Sequence, residues 1–316
     1  MTEFELIQRL SRDLPGNDSV VAGAGDDCAV LDLGVPDRYV LFKTDAVVEG
    51  IHFTSDAAPE KIGHKALARC LSDVAAMAGT PTAALITLGL PRKFDPDFVE
   101  KIYSGISALA RRHGVAIAGG ETTTNPERIL ISVALIGSIE KQRCIRRSGA
   151  KAGDAIFVSG DLGGSLAGKH LDFEPRLNEA RWLAEHFDIH AMIDVSDGLA
   201  GDLRHILRGS GAGAELLSQS IPISRAAKLQ GRGESSTKPP LLAALTDGED
   251  FELLFTLASG DGVVVLDKWK EHFPDVPLTC IGRITETPGL KLRDKNGLRE
   301  FELRGYEHFS GAPEAQ

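Results

Sequence analysis

The 316-residue chain is poor in cysteine, and its four cysteines, Cys28, Cys70, Cys144 and Cys280, include no C-x-x-C pair. That scatter argues against a zinc site or a disulfide framework and fits a reducing cytoplasm. No apolar run approaches the roughly 18–20 residues of a membrane span. The first ten residues, MTEFELIQRL, lack the basic and apolar regions of a secretory signal. Basic residues are not in excess: the formal net charge is −10, which argues against a nucleic-acid surface. An acidic chain can still hold an anionic nucleotide if metal ions stand between them. There is no short-period repeat. A P-loop is also missing. Gly163 to Lys169 follow G-x-x-x-x-G-K, but the next residue is His170, which has no hydroxyl to offer a metal.

What is present fits two ordinary globular domains. Hydrophobic residues make up 42% and charged residues 25%, and the length exceeds one usual domain. Periodicity predicts a helix over 4–12, strands over 28–31 and 39–43, and a helix from Pro59 to Ala78 ended by Gly79. A short strand is expected over 86–90 and a helix around Phe98–Ala110, closed by Gly114. The run 115–118 then leads into Gly119-Gly120-Glu121-Thr122-Thr123, and a strand over 129–139 follows. A basic, glycine-containing connector over 146–154 sets the expected boundary, with one domain over 1–145 and a second over 146–316. The second half reads as strand 155–159, helix 178–186, strand 191–195, helix 199–208, strand 253–257 and helix 263–273. Asn296-Gly297 is a hairpin signal. Residues 231–240 read as a surface loop. Strands and helices mix in both halves, so the class is α/β or α+β.

The chemical signal is a set of carboxylates at loops and element ends: Asp26-Asp27 after Gly25, Asp45 after a strand, and Ser72-Asp73 in a helix. Glu121 follows two glycines, Asp194 and Asp197 flank Ser196, and Glu249-Asp250 precede a strand. A single such residue is more often a cap or a turn residue. A series of them against apolar strands needs counter-ions, because unpaired buried carboxylates are costly. Mg²⁺, which takes oxygen ligands and is shared with substrate phosphates, is the fitting partner. No segment has EF-hand spacing.

Read together, these motifs resemble the thiamine-monophosphate kinase family, in the superfamily of aminoimidazole ribonucleotide synthetase and selenophosphate synthetase. The resemblance runs from Phe4 to Phe309. It is carried by Gly25 to Val30, Thr44-Asp45, Val48 to Phe53, Leu71 to Met77, Gly119 to Thr123, Arg147 to Ala150, Ile193 to Gly198, Gly248 to Leu253 and Gly305-Tyr306-Glu307-His308-Phe309. A selenophosphate synthetase would want a reactive Cys or selenocysteine near a Lys in an early glycine-rich segment, which this chain lacks. The chain departs from the family's pattern at Glu121, where Asp is common, and at Asp247, where a second glycine is common.

The resemblance implies a two-domain enzyme that dimerises through its N-terminal sheet, with ATP and several Mg²⁺ ions in a cleft between domains. The γ-phosphoryl of ATP would pass directly to the phosphate of thiamine monophosphate. Asp27, Thr44, Asp45, Asp73, Glu121, Asp194 and Asp197 are the implied metal ligands. Gly120, Glu121, Arg147 and Ser196 belong to ATP, and His52, Glu249 and Tyr306 to the thiamine side. Asp45, Asp194, Asp197 and Arg147 would carry the chemistry. Transfer between two phosphates brings anion against anion, so positioning and charge neutralisation should dominate. Neither a nucleic acid nor a membrane is expected as a partner.

Overall fold

A computed structural model describes residues 3–231, 238–303 and 305–306. Helix α1 (Glu3–Ser11) precedes a six-stranded sheet built from β1 (Val20–Ala22), β2 (Ala29–Leu31), β3 (Arg38–Val48), β4 (Thr80–Leu90), β5 (Ala116–Thr124) and β6 (Leu130–Glu140). The spatial order is β1-β2-β3-β6-β4-β5. Only β4 and β5 run parallel, joined through α3 (Pro96–Arg112); the other neighbours are antiparallel.

The second half forms a seven-stranded sheet from β7 (Ala155–Ser159), β8 (Ile189–Asp194), β9 (Gly213–Leu217), β10 (Leu253–Leu257), β11 (Leu278–Thr285), β12 (Gly289–Asp294) and β13 (Gly297–Glu300). Its order is β13-β12-β9-β11-β7-β10-β8, with one parallel pair, β12 and β9. Between these strands lie α4 (Lys169–Asp172), α5 (Leu177–His186), α6 (Leu199–Ser210), α7 (Arg225–Gln230), α8 (Pro240–Thr246) and α9 (Gly262–His272). Mixed, mainly antiparallel sheets make the class α+β.

The helix α2 (Pro59–Ala76) holds the two halves together. Thirteen of its 18 residues are buried, so it is covered on nearly all sides rather than along one stripe. It packs on β3, β4 and β6, on α3, and across the boundary on α4, α5 and β8. Gly63 and Gly105 let α2 and α3 touch backbone to backbone. A Cβ on either would come within 1.9 Å of a carbonyl oxygen of the other helix. Fully buried Leu67, Leu71 and Val74 each contribute about 2 kcal/mol of burial. One hydrophobic cluster runs from Val30 and Leu41 of the first half to Phe157 and Trp269 of the second; a separate one fills the far side of the second sheet.

Several sequence expectations change in detail. Strands β3 and β4 are longer than the apolar runs that announced them, because ladder pairing continues through polar residues such as Thr44 and Asp45. Helix α2 stops two residues early. The left-handed turn after it falls on Ala78, at φ 57°, and not on Gly79. Gly79 is needed for space instead, since a Cβ there would lie 2.4 Å from Leu41. The hairpin at Asn296-Gly297 forms as expected between β12 and β13. Of the expected loop 231–240, residues 232–237 lie outside the described ones, and Pro240 already begins α8.

Candidate active site

Three carboxylates from three elements converge where the halves meet. Asp27 comes from the turn before β2, Asp73 from α2 and Asp194 from the end of β8, and one oxygen of each lies within 4.8 Å of the others. All three are buried. Ser72 donates its hydroxyl to Asp194 Oδ2 at 2.6 Å. Arg147 Nη2 donates to Asp27 Oδ1 at 2.7 Å, while Asp27 Oδ2 is buried and has no hydrogen-bond partner among the described residues. Burial, then the nearby Asp27, pushes the Asp194 carboxyl up to about 6. A buried oxygen left without a donor, beside two more carboxylates, is the donor set of a hard divalent cation. The residues present therefore fit Mg²⁺.

A polar stripe crosses the otherwise buried α2. Lys65, Arg69 and Asp73 stand four residues apart and so lie along one face. Lys65 is 0% exposed; it donates to Glu249 Oε2 at 2.7 Å and to the His52 carbonyl at 2.6 Å. Burial lowers the Lys65 ammonium to about 8 even with Glu249 opposing. Arg69 grips Asp45 through Nε at 2.8 Å and Nη2 at 3.2 Å, and reaches Glu249 at 3.3 Å. Burial would raise the Asp45 carboxyl, but Arg69 and then Lys43 outweigh it and hold it below its usual range. Lys43, two residues before Asp45 on β3, donates to Asp73 Oδ1 at 2.6 Å.

The loop after β8 ties Glu249 and Tyr306 together. Asp202, in the first turn of α6, accepts the Ser196 and Asp197 N–H groups at 3.0 Å each. Burial, then Asp197, pushes this Asp202 carboxyl well up. The Ser196 carbonyl accepts the Glu249 N–H at 2.7 Å, and the Asp197 carbonyl accepts the Tyr306 N–H at 2.9 Å. Glu249 and Phe251 both adopt left-handed φ, 67° and 52°. Neither is glycine, so this loop carries strain that the surrounding contacts must hold. Arg147, Ser196, Asp197 and Tyr306 line a cavity of about 1060 Å³, closed on another side by α1 through Glu5 and Gln8.

The expected site residues therefore separate into groups. Asp27, Asp73 and Asp194 form the cluster; Arg147 is paired directly with Asp27, and Asp45 is held beside it by Arg69. Ser196, Asp197 and Tyr306 share the large cavity. His52 and Glu249 meet through Lys65, and the His52 ring accepts the Val48 N–H at Nδ1, 3.1 Å away. Thr44 and Glu121 are not brought to the cluster. Ladder pairing aligns Glu121 with Thr87, Ser132 and Ala46 in turn, and Thr44 with Ala134 and Leu85. Both lie on the sheet face opposite Lys43 and Asp45, and both are exposed. Glu121 sits inside β5 rather than in a loop, and its Oε1 accepts the Thr122 N–H at 3.1 Å. Gly120 has a packing reason to be glycine, because a Cβ would fall 1.8 Å from the Ile86 carbonyl oxygen. Glu307, His308 and Phe309 lie outside the described residues.

Sequence reasoning passed over Lys43, Lys65 and Arg69, and Asp202 entered it only as part of the motif that continues after Gly198. The signal for two of them was available, since Lys65 and Arg69 lie at i−8 and i−4 from Asp73 on a helix. The near-P-loop is accounted for differently. Its Gly163 and Gly164 N–H groups already donate to Asp250 and Asp247, at 2.8 and 3.0 Å, and Lys169 is paired with Glu252 at 2.7 Å. Those donors clamp the Asp247–Glu252 segment.

Comparison with known proteins gives a consistent result. The AIR synthase-related N-terminal domain matches residues 25–139, and the AIR synthase-related C-terminal domain matches residues 149–295. A thiamine-monophosphate kinase of Rhodopirellula baltica is 40% identical over 288 residues, covering 89% of this chain and 87% of its own. That of Aquifex aeolicus is 33% identical over 327 residues, covering 97% and 98%. The solved structure of AaThiL complexed with AMPPCP and TMP superposes with a TM-score of 0.80 at 32% identity, covering 98% of this chain and 97% of that one.

Proposed function

Because the chain belongs to the thiamine-monophosphate kinase family of AIR synthase-related proteins, we propose that it transfers the γ-phosphoryl group of ATP directly to the phosphate of thiamine monophosphate, yielding thiamine diphosphate and ADP. The observation that carries the reading is the convergence of Asp27, Asp73 and Asp194, with the orphaned Asp27 oxygen, beside a cavity of about 1060 Å³. These three residues would hold Mg²⁺, with Asp45 and Asp197 adjoining. When bound, the metal supplies positive charge against the phosphate oxygens.

The chain's own groups do the rest. Arg147, half-buried against Asp27 and opening onto the cavity, is placed to hold phosphate oxygens of ATP in a fixed orientation. Ser196 and Asp197 are fixed by Asp202. Glu249, held by Lys65 and Arg69, faces the acceptor side with His52. Its anchored carboxylate suits a cationic thiamine. Tyr306 stands on the cavity side of the Asp197 loop, where an aromatic ring can close over a bound ring. The acceptor is a phosphate oxygen that is already ionised, so no general base is required. Arg69 and the Ser196 carbonyl link the two substrate sides through short contacts, which supports in-line placement of donor and acceptor.

A homodimer is part of the proposal. The outer face of the first sheet exposes Phe42 at 47%, Leu85 at 49% and Ile136 at 42%, on three neighbouring strands. An apolar sheet face of this kind is a ready interface for a second copy. Thr44 and Glu121 share that face, so assembly is their route to a functional role. Among the described residues no helix is long and apolar enough to cross a membrane. All four cysteines are free, in keeping with a reducing cytoplasm.

The test is purified protein with ATP, Mg²⁺ and thiamine monophosphate. Thiamine diphosphate and ADP are expected in equal amounts, and none without a divalent ion. ADP and free phosphate without thiamine diphosphate would sink the reading.

A further inference from the structure

The carboxylate cluster carries cations of its own. Against the three negative charges of Asp27, Asp73 and Asp194 stand two side chains in direct contact, Arg147 on Asp27 at 2.7 Å and Lys43 on Asp73 at 2.6 Å. They differ in where they point. Arg147 opens onto the large cavity that suits ATP. Lys43 does not line that cavity. It rises from β3 between the sheet and α2, with its side chain about one-fifth exposed (21%), and Asp45 follows two residues later on the same strand face. Its ammonium is a compact, strongly charged donor, closer to a small metal ion in its demands than to a planar guanidinium.

We propose that the Lys43 ammonium is a resident cation of the cluster: it keeps Asp73 Oδ1 for itself and lowers by one the number of divalent ions the cleft takes up. The argument is one of geometry and charge. An ammonium and a divalent ion cannot share one carboxylate oxygen at contact distance without strong mutual repulsion in a buried setting. Among the described residues Lys43 is the one side chain that donates to Asp73, and it takes Oδ1, which leaves Oδ2 as the Asp73 oxygen open to a divalent ion. The orphaned oxygen of the cluster is Asp27 Oδ2, on a different residue from the oxygen that Lys43 holds. The divalent ion is thereby directed to the Asp27–Asp194 side. Lys43 acts through Asp73 and is a positioning residue.

The inference rests on reading these three carboxylates as a divalent-cation site within the proposed kinase. Its test is the number of ions bound, which does not depend on turnover. Mn²⁺ binding is measured by equilibrium dialysis, alone and with saturating AMPPCP, on wild type, Lys43→Met and Lys43→Arg. The expected result is one more Mn²⁺ per chain in Lys43→Met than in wild type, with Lys43→Arg equal to wild type. Equal numbers in Lys43→Met and wild type, zero included, overturn the proposal. So does tighter binding at an unchanged number, because the ammonium would then be a mere competitor. Should Lys43→Met not fold, anomalous scattering from Mn²⁺-soaked wild-type crystals decides. Lys43 Nζ still on Asp73, with Mn²⁺ at Asp27 and Asp194, supports the proposal; Mn²⁺ bound by Asp73 with Lys43 swung away refutes it. Absence of thiamine diphosphate in the kinase assay would remove the kinase reading while leaving this count to stand or fall separately.

Discussion

The two faces of the N-terminal sheet are made from the same strands and do opposite work. On the inner face, Lys43 and Asp45 meet α2 and its polar stripe, and every charge there has a partner within hydrogen-bond reach. On the outer face, Thr44 and Glu121 stand among exposed Phe42, Leu85 and Ile136. Three consecutive residues, Lys43-Thr44-Asp45, are thus divided by the pleat. The lesson is that a contiguous motif on a strand is not a contiguous site. Alternation sends its middle residue to the other side.

That contrast can be broken by mutation. The largest effect is expected inside, at Asp194→Asn. Loss of a buried carboxylate from the cluster should lower turnover at least ~10²-fold, the scale of losing one preorganised electrostatic element. Turnover within a few-fold of wild type, in a protein with an unchanged melting temperature, would take Asp194 out of the site.

The next effect belongs to the outer face. Phe42→Glu puts a charge into the apolar patch and should shift the protein from dimer to monomer at micromolar concentration, read by native mass spectrometry. A wild type that is already monomeric would show that this face has another occupant.

Glu121→Gln should have a smaller effect, about 10-fold or less in the Mg²⁺ needed for half-maximal rate. Its carboxylate is exposed and, among the described residues, tied only to a neighbouring N–H, so less is lost than inside. An Mg²⁺ titration that superimposes on wild type would remove Glu121 from the proposed ligands. A loss as large as that of Asp194→Asn would mean that assembly carries the outer face into the chemistry.

The smallest effect sharpens the comparison at the cavity wall. Burial, then Arg147 and Arg208, lowers the His205 ring from 6.5 to about 4. The unfolded chain takes up this proton as pH falls below 6.5, while the folded chain stays neutral until about 4. Stability is therefore lost between those limits and unaffected above them. His205→Gln should flatten this acid limb by roughly 1 kcal/mol, allowing for partial exposure. Denaturant melts at pH 7.5 and 5 read the difference. Equal pH dependence in the two proteins would place the acid sensitivity elsewhere.

Much of the architecture was legible in advance because it follows local rules. Helical periodicity marked α2, α3 and α6, and Asn296-Gly297 marked the last hairpin. Strand ends were harder to read, since ladder pairing carried β3 and β4 past the apolar runs. For the site, acidic residues in a glycine-rich turn, within a helix and near a strand end pointed to Asp27, Asp73 and Asp194. The basic partners of Asp45 and Glu249 went unnoticed because Lys65 and Arg69 sit in a helix that reads as apolar core.

By itself, then, the sequence determined which groups this protein has to work with: carboxylates in number, no P-loop, and one kinase-like order of motifs. The tertiary structure decided which of them meet. Asp73 and Asp194 are 121 residues apart and share a site only because α2 packs against β8. Glu121 and Asp45 carry the same charge but lie on opposite faces of one sheet. Charge is a property of the residue, but a coordination set is a property of distance. Distance between remote residues is set by packing, where burial against a partner element outweighs any local preference of the chain.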